Sequence, residues 1–151
     1  MRINFLKCQV VREKGVNYPE VDGKATPSAV HKIATDVLEL DKASEEHIYA
    51  LLLNPKLNIN GIVEVSKGTA NEATFHAREV FKAAIIHNAT SVIIVHNHPS
   101  GELSVSNADK ETTKQIMAAG KLLNIPLVDH IIVSNEGYLS LKEEQIVFEG
   151  V

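Results

Sequence analysis

Two histidines one residue apart, His96 and His98, close an apolar run in "VIIVHNHPSGELSVSNAD", residues 92–109. On a strand they share a face, with Cα atoms about 6.7 Å apart, and Asn97 points the other way. Two neutral imidazoles so placed can converge on one ion, and zinc takes nitrogen at about 2.0–2.1 Å. Pro99 removes a backbone donor just after the second histidine, and Gly101 permits a turn that a side chain would forbid. A catalytic zinc centre usually needs a third protein ligand and a place for water. The next candidate is Asp109, in Ser106-Asn107-Ala108-Asp109 at the start of a helix. Ser106 and Asp109 also read as a capping box, with Asp in place of the usual Glu or Gln. For Asp109 the two readings are compatible, because a helix N-terminus can hold a carboxylate that still offers one oxygen to metal. For Ser106, capping and catalysis draw on one hydroxyl.

The elements around these residues follow from periodicity. "TSVIIVHNH" is too short and too β-branched for a helix and reads as an interior strand. "NADKETTKQIMAAGKLLNI" reads as a helix closed by Asn124 and Pro126. "INFLKCQVVRE" reads as a first strand, followed by the irregular connection "GVNYPEVDGKATP". Thr26-Pro27 opens a helix with Val30, Ile33, Ala34, Val37 and Leu38 on one face. "HIYALLL" and "INGIVEVS" form a hairpin around the "NP" turn. "AREVFKAAIIHNA" is a second helix, with Val80, Phe81, Ala84 and Ile85 at helical spacing. "PLVDHIIVSNEGYLSL" makes two strands joined at Asn135-Glu136-Gly137, and the tail "EEQIVFEGV" is a short edge element or frayed. Strands and helices mix without regular alternation, which indicates an α/β sandwich on a mixed or antiparallel sheet. We expect one domain: a strand and helix in 1–43, a metal-binding core in 44–146 and a tail in 147–151.

The chain has 151 residues, with 44% hydrophobic and 23% charged residues, as in an ordinary globular domain. A formal charge of −4 supplies no general nucleic-acid footprint. Cys8 is the only cysteine, so intrachain disulfides and multi-thiolate zinc sites are excluded. The N-terminus lacks a signal-peptide pattern, and no apolar run approaches the ~20 residues that span a membrane. These features point to the cytoplasm.

"HNHPSGELSVSNAD" resembles the JAB/MPN (JAMM) metalloprotease motif: HxH, a seven-residue spacer, then Ser-x-x-Asp. "GTANEATFHAREVFKAAIIHNATSVIIVHNHPSG" and "VDHIIVSNEGYLSLKEE" are similar to the RadC-like branch, over about residues 44–146. The resemblance implies a JAB/MPN-like, cytidine-deaminase-like mixed sheet sandwiched by helices. It also implies Zn2+ held by His96, His98 and Asp109. The family's upstream glutamate acts as general base and falls on Glu46 by count from "YALLL". Glu45 lies on the opposite strand face, so only one of the pair can reach the site. Ser106 would donate to the oxyanion of a tetrahedral intermediate. Asp129 or His130, neighbours on a strand, could support the ligands, though a core hydrogen bond serves as well. Asn97 and Ser100 read as strand and loop structure. His76 and His87 read as helix-end residues, His31 and His47 as solvent or interface residues, and Arg78 and Glu79 as surface charges.

The implied activity is zinc-dependent hydrolysis of peptide or isopeptide bonds in a peptide or protein substrate. One rival is a non-catalytic module, acting in DNA processing or as a partner scaffold; the other is a metal-dependent nuclease. The family's DNA-repair label draws no support from the acidic charge. Nor is a helix-hairpin-helix segment legible in residues 1–43, which suggests the stand-alone form of the domain. Ala77 replaces a proline common in the family's "HPRE" segment, and "GELSVS" a more proline-rich spacer; neither touches a proposed ligand. There is no H-E-x-x-H and no Pro-Cys-x-x-Cys to suggest another zinc chemistry.

Overall fold

A computed structural model describes residues 1–18, 22–68 and 76–149. Its elements run α1 (Pro27–Asp36), β1 (Glu46–Leu53), β2 (Ile59–Gly68), α2 (Ala77–Ile86), β3 (Ser91–Asn97), α3 (Asn107–Leu123), β4 (Leu127–Ser134) and β5 (Gly137–Ser140). The strands form one sheet in the order β2-β1-β3-β4-β5. Only β3 and β4 run parallel; the other pairs are antiparallel. The mixed α/β sandwich expected from the sequence is therefore the fold.

Strand alternation sorts the core into two layers. Ile48, Ala50, Leu52, Val92, Ile94 and Ile132 face α2 and α3, where Val80, Phe81, Ala84 and Ile116 meet them. Leu51, Leu53, Ile93, Val95, Ile131 and Val133 face the other way, against Val30, Ala34 and Leu40 at α1. This parity decides the site. Glu46 and His96 continue the even-numbered rows of β1 and β3, and Ile48 lies opposite His96, so both belong to the face covered by α2 and α3.

Local chemistry ends each helix. Thr26 accepts from the Ala29 amide at the start of α1, with Pro27 in the first turn. That helix stops at Asp36, earlier than its apolar pattern, and Glu39 takes a positive φ that turns Leu40 into the core. Asn124, in the left-handed region, closes α3. Gly120 is required where α3 touches the chain that enters β4. A Cβ there would lie 2.5 Å from the Ile125 carbonyl oxygen and 3.1 Å from Phe81.

Three expectations change. Residues 3–13 form no strand: residues 1–17 are exposed except for half-buried Tyr18 beyond them, and none lies in the sheet. Alternating apolar residues favour a strand only where an edge accepts their backbone, and that segment joins neither edge. The tail is neither an edge strand nor frayed at Phe148, which is buried in the α2/α3 core after a run of turns. His31 packs its ring against Tyr138 and His47 stacks on Tyr49, so neither is simply solvent-facing. Residues 69–75, within the stretch that carries part of the family resemblance, lie outside the described residues, as do 19–21 of the early connection and 150–151 of the tail. Among the described residues, no helix is long and apolar enough to cross a membrane.

Candidate metal centre

His96, the second-last residue of β3, is 1% exposed. His98 lies just beyond the strand, where its amide donates to the Val133 carbonyl and prolongs the β3–β4 ladder. The chain then reverses: the Gly101 amide donates to the His98 carbonyl with Gly101 at φ 91°. That positive φ favours glycine there, while a Cβ would meet only the movable Asn135 side chain, 2.9 Å away. The turn carries the chain to Ser106, the N-cap of α3.

The capping box is complete. Ser106 Oγ accepts from the Asp109 amide at 3.0 Å, and Asp109 Oδ2 accepts from the Ser106 amide at 3.0 Å. The Ser106 oxygen is used as an acceptor, which leaves its hydroxyl hydrogen available, so capping and donation need not compete. The box also aims Asp109. Its Oδ1 lies 3.5 Å from His96 Nε2 and its Oδ2 3.4 Å from His98 Nε2. The two Nε2 atoms are 3.0 Å apart. Among the described residues, His96, His98 and Asp109 are the group whose ligand atoms converge, all within 4.8 Å, as a metal site requires.

The donor chemistry fits a cation. The Glu102 carbonyl, 2.9 Å from His98 Nδ1, can only accept, so Nδ1 carries the hydrogen and the neutral ring turns a bare Nε2 inward. That lone pair, a carboxylate and His96 Nε2 face one another with little solvent access. The edges of a tetrahedron with ~2.0–2.1 Å arms are about 3.3 Å long, close to the separations here.

Glu46 is the fourth group, with Oε1 3.9 Å from His96 Nε2. Burial raises its carboxyl above the usual range; His98 opposes that rise and Asp109 adds to it. Glu45 faces away, half exposed, 3.7 Å from Lys67. Burial also works to raise Asp109, but its hydrogen bonds with His98 and with the Ser106 amide hold it well below the carboxylate range. Pairing with Asp109 raises His98 against the pull of burial. Burial holds His96 low and brings His130 down to about 4, so both rings are neutral near pH 7.

Asp129 and His130 part as strand neighbours must. His130 turns toward the site, with Nε2 2.7 Å from His96 Nδ1. Asp129 turns away and binds β4 to β5: its carboxylate accepts from Ser140 Oγ and from the amides of His130 and Lys142. Two residues had a larger part than their sequence context showed. Asn97 is fully buried and clamps the start of β1, accepting from the His47 amide at 2.7 Å and donating to the Glu45 carbonyl at 2.9 Å. It thus holds the backbone on both sides of Glu46. Thr113, one turn beyond Asp109 in α3 and also fully buried, touches both Asp109 and His130. Asn97 between His96 and His98, and Thr113 between Thr112 and Lys114, carry no sequence signal of burial, and only the fold reveals their partners. Ser100 accepts from the Glu102 amide within the turn. His76 and His87 flank α2 as its caps, and Arg78 pairs with Glu79 on the surface.

A RadC-like JAB domain model matches residues 25–146. Similar curated proteins carry the name UPF0758 protein. One from Chlorobaculum parvum is 42% identical over 76% of this chain and 54% of its own length. One from Chloroflexus aurantiacus is 42% identical over 75% of the chain and 49% of its own. One from Finegoldia magna is 49% identical over 70% of the chain and 47% of its own. The chain spans about half the length of these relatives.

Proposed function

Since the chain belongs to the family of RadC-like JAB domains, we propose that it is a zinc-dependent hydrolase of peptide or isopeptide bonds. The observation that carries this reading is the convergence of His96 Nε2, His98 Nε2 and the Asp109 carboxylate, with Glu46 3.9 Å from the first. The three ligand residues would hold the metal. Zinc bound there supplies Lewis acidity, which polarises a carbonyl and brings the pKa of water to about 7.

Each residue of the chain then has a task. His96 and His98 bind as neutral donors, and Asp109 balances part of the charge. Glu46 takes a proton from the attacking water at a carboxylate oxygen and returns it to the departing amine nitrogen. Its half-buried setting suits that exchange, because a raised carboxyl pKa narrows the gap to the groups it serves. The Ser106 hydroxyl, whose oxygen is engaged by the Asp109 amide, donates its hydrogen to the oxygen that becomes negative as the carbonyl is attacked. The substrate is a peptide or protein of unassigned sequence.

Elemental analysis of purified wild type beside His98→Ala and Asp109→Ala tests the metal. Near-stoichiometric zinc in wild type, falling in both variants, is expected. Zinc unchanged by either substitution, or none after reconstitution, overturns the reading. Zinc-loaded protein is then assayed on quenched peptides, isopeptide-linked conjugates and nucleic acid in parallel, with Glu46→Gln as control. Cleavage of nucleic acid alone would replace the hydrolase of amide bonds by a nuclease.

A further inference from the structure

Behind His96 a line of hydrogen bonds reaches α3. His96 Nδ1 lies 2.7 Å from His130 Nε2, His130 Nδ1 lies 2.7 Å from Thr113 Oγ1, and Thr113 Oγ1 lies 2.6 Å from the Asp109 carbonyl oxygen. His96, His130 and Thr113 are each at most 1% exposed, so water does not compete for these bonds. The direction of every bond follows from the last. A carbonyl only accepts, so the Thr113 hydroxyl hydrogen goes to Asp109. The Thr113 oxygen then accepts from His130 Nδ1–H. A neutral ring protonated at Nδ1 is bare at Nε2, so His96 Nδ1 must donate to it. His96 is left bare at Nε2, the atom 3.5 Å from Asp109 Oδ1 and 3.0 Å from His98 Nε2.

We propose that Thr113 and His130 are positioning residues that select the Nδ1–H tautomer of His96 and so aim its lone pair at the metal. The inference rests on the reading of His96 as a zinc ligand. If the line reversed, Thr113 would donate to His130, His130 Nε2–H would donate to His96 Nδ1, and His96 Nε2 would carry a hydrogen where the metal must sit. That order also abandons the Asp109 carbonyl. One hydroxyl on α3 therefore does two things: it ties down the backbone of one ligand and sets the protonated nitrogen of another. Without Thr113, two linked imidazoles have two ways to share their hydrogens, and nothing in the line prefers the useful one.

The test is the tautomer itself, read in metal-free, 15N-histidine-labelled protein by long-range 1H–15N correlation at about pH 7.5. Wild type is expected to show both His96 and His130 as Nδ1–H. Thr113→Val keeps the shape and removes the hydroxyl; His96 should then shift wholly or partly to Nε2–H. Zinc affinity, by chelator competition, should fall about 10–100-fold. Thr113→Ser should restore both readouts. His96 found as Nε2–H in wild type overturns the proposal. So does a Thr113→Val protein with an unchanged tautomer and unchanged zinc affinity. Should Thr113→Val fail to fold, the wild-type spectrum and Thr113→Ser still decide. Wild type that never binds zinc would end the zinc reading, and the spectrum would still report the relay separately.

Discussion

At the residue scale, the site combines a carboxylate held ionised with a histidine whose protonated form is favoured beyond its ordinary value. Asp109 stays ionised because His98 and its own helix cap favour the charge more than burial opposes it. His98 is raised from its ordinary value by the same partnership. The sign follows from linkage. A histidine raised in the folded state contributes stability that is full below its unfolded value, about 6.5, and is lost as pH rises through the folded one. Zinc must displace that proton. The metal-free protein should thus lose thermal stability between about pH 6 and pH 8, while the stabilisation by added zinc grows over the same interval. Thermal unfolding with and without zinc at both pH values checks this, and His98→Ala should flatten both trends. A zinc effect larger at the lower pH would contradict the ligand role of His98.

At the element scale, three pieces of backbone must be brought to one point: the end of β3, the start of β1 and the N-terminus of α3. The β3–β4 ladder, prolonged through the His98 amide, fixes the first. The capping box fixes the third, using the same two residues that face the site. The second depends on Asn97, whose amide spans the residues on either side of Glu46. Replacing Asn97 by Ala removes the side-chain partner of two part-buried backbone groups and should cost about 1 kcal/mol, measured by urea unfolding. It should leave zinc stoichiometry near that of wild type and lower the hydrolytic rate at least tenfold, because the carboxylate moves while the metal ligands remain. An unchanged rate would show that β1 pairing alone positions Glu46. Sequence periodicity located these strands but not this clamp, since Asn97 between two histidines reads only as the residue on the other face.

At the scale of the whole molecule, the family match begins at residue 25, and residues 1–17 stand outside the sheet. Ile3, Phe5, Leu6 and Val11 are largely exposed there, so this segment adds little to the packed core. Limited trypsin digestion should cut first at Lys7, Arg12 or Lys14 and leave a resistant fragment that retains the site. Mass spectrometry of the earliest products checks this; first cleavage within α2 or α3 would show a core less stable than its packing indicates. The same segment explains why the first strand was misread. Alternation of Ile3, Phe5 and Val11 reports compatibility with a sheet, but a strand exists only when another strand's amides and carbonyls meet it.

Much of this protein was determined by local sequence. Alternation in "VIIVHNH" made the strand and put His96 and His98 on one face; Ser106-x-x-Asp109 made the cap; the parity of "EEHIYALLL" separated Glu46 from Glu45. These are short-range effects, written within a few residues of one another. The tertiary structure alone decided which groups meet across the chain: that His130 rather than Asp129 turns to the site, that Asn97 grips the start of β1, and that Thr113 links Asp109 to His130. Apart from the bond of Thr113 to Asp109, one turn of α3, those contacts join residues far apart in sequence, and their hydrogen-bond directions follow from partners that no local pattern names.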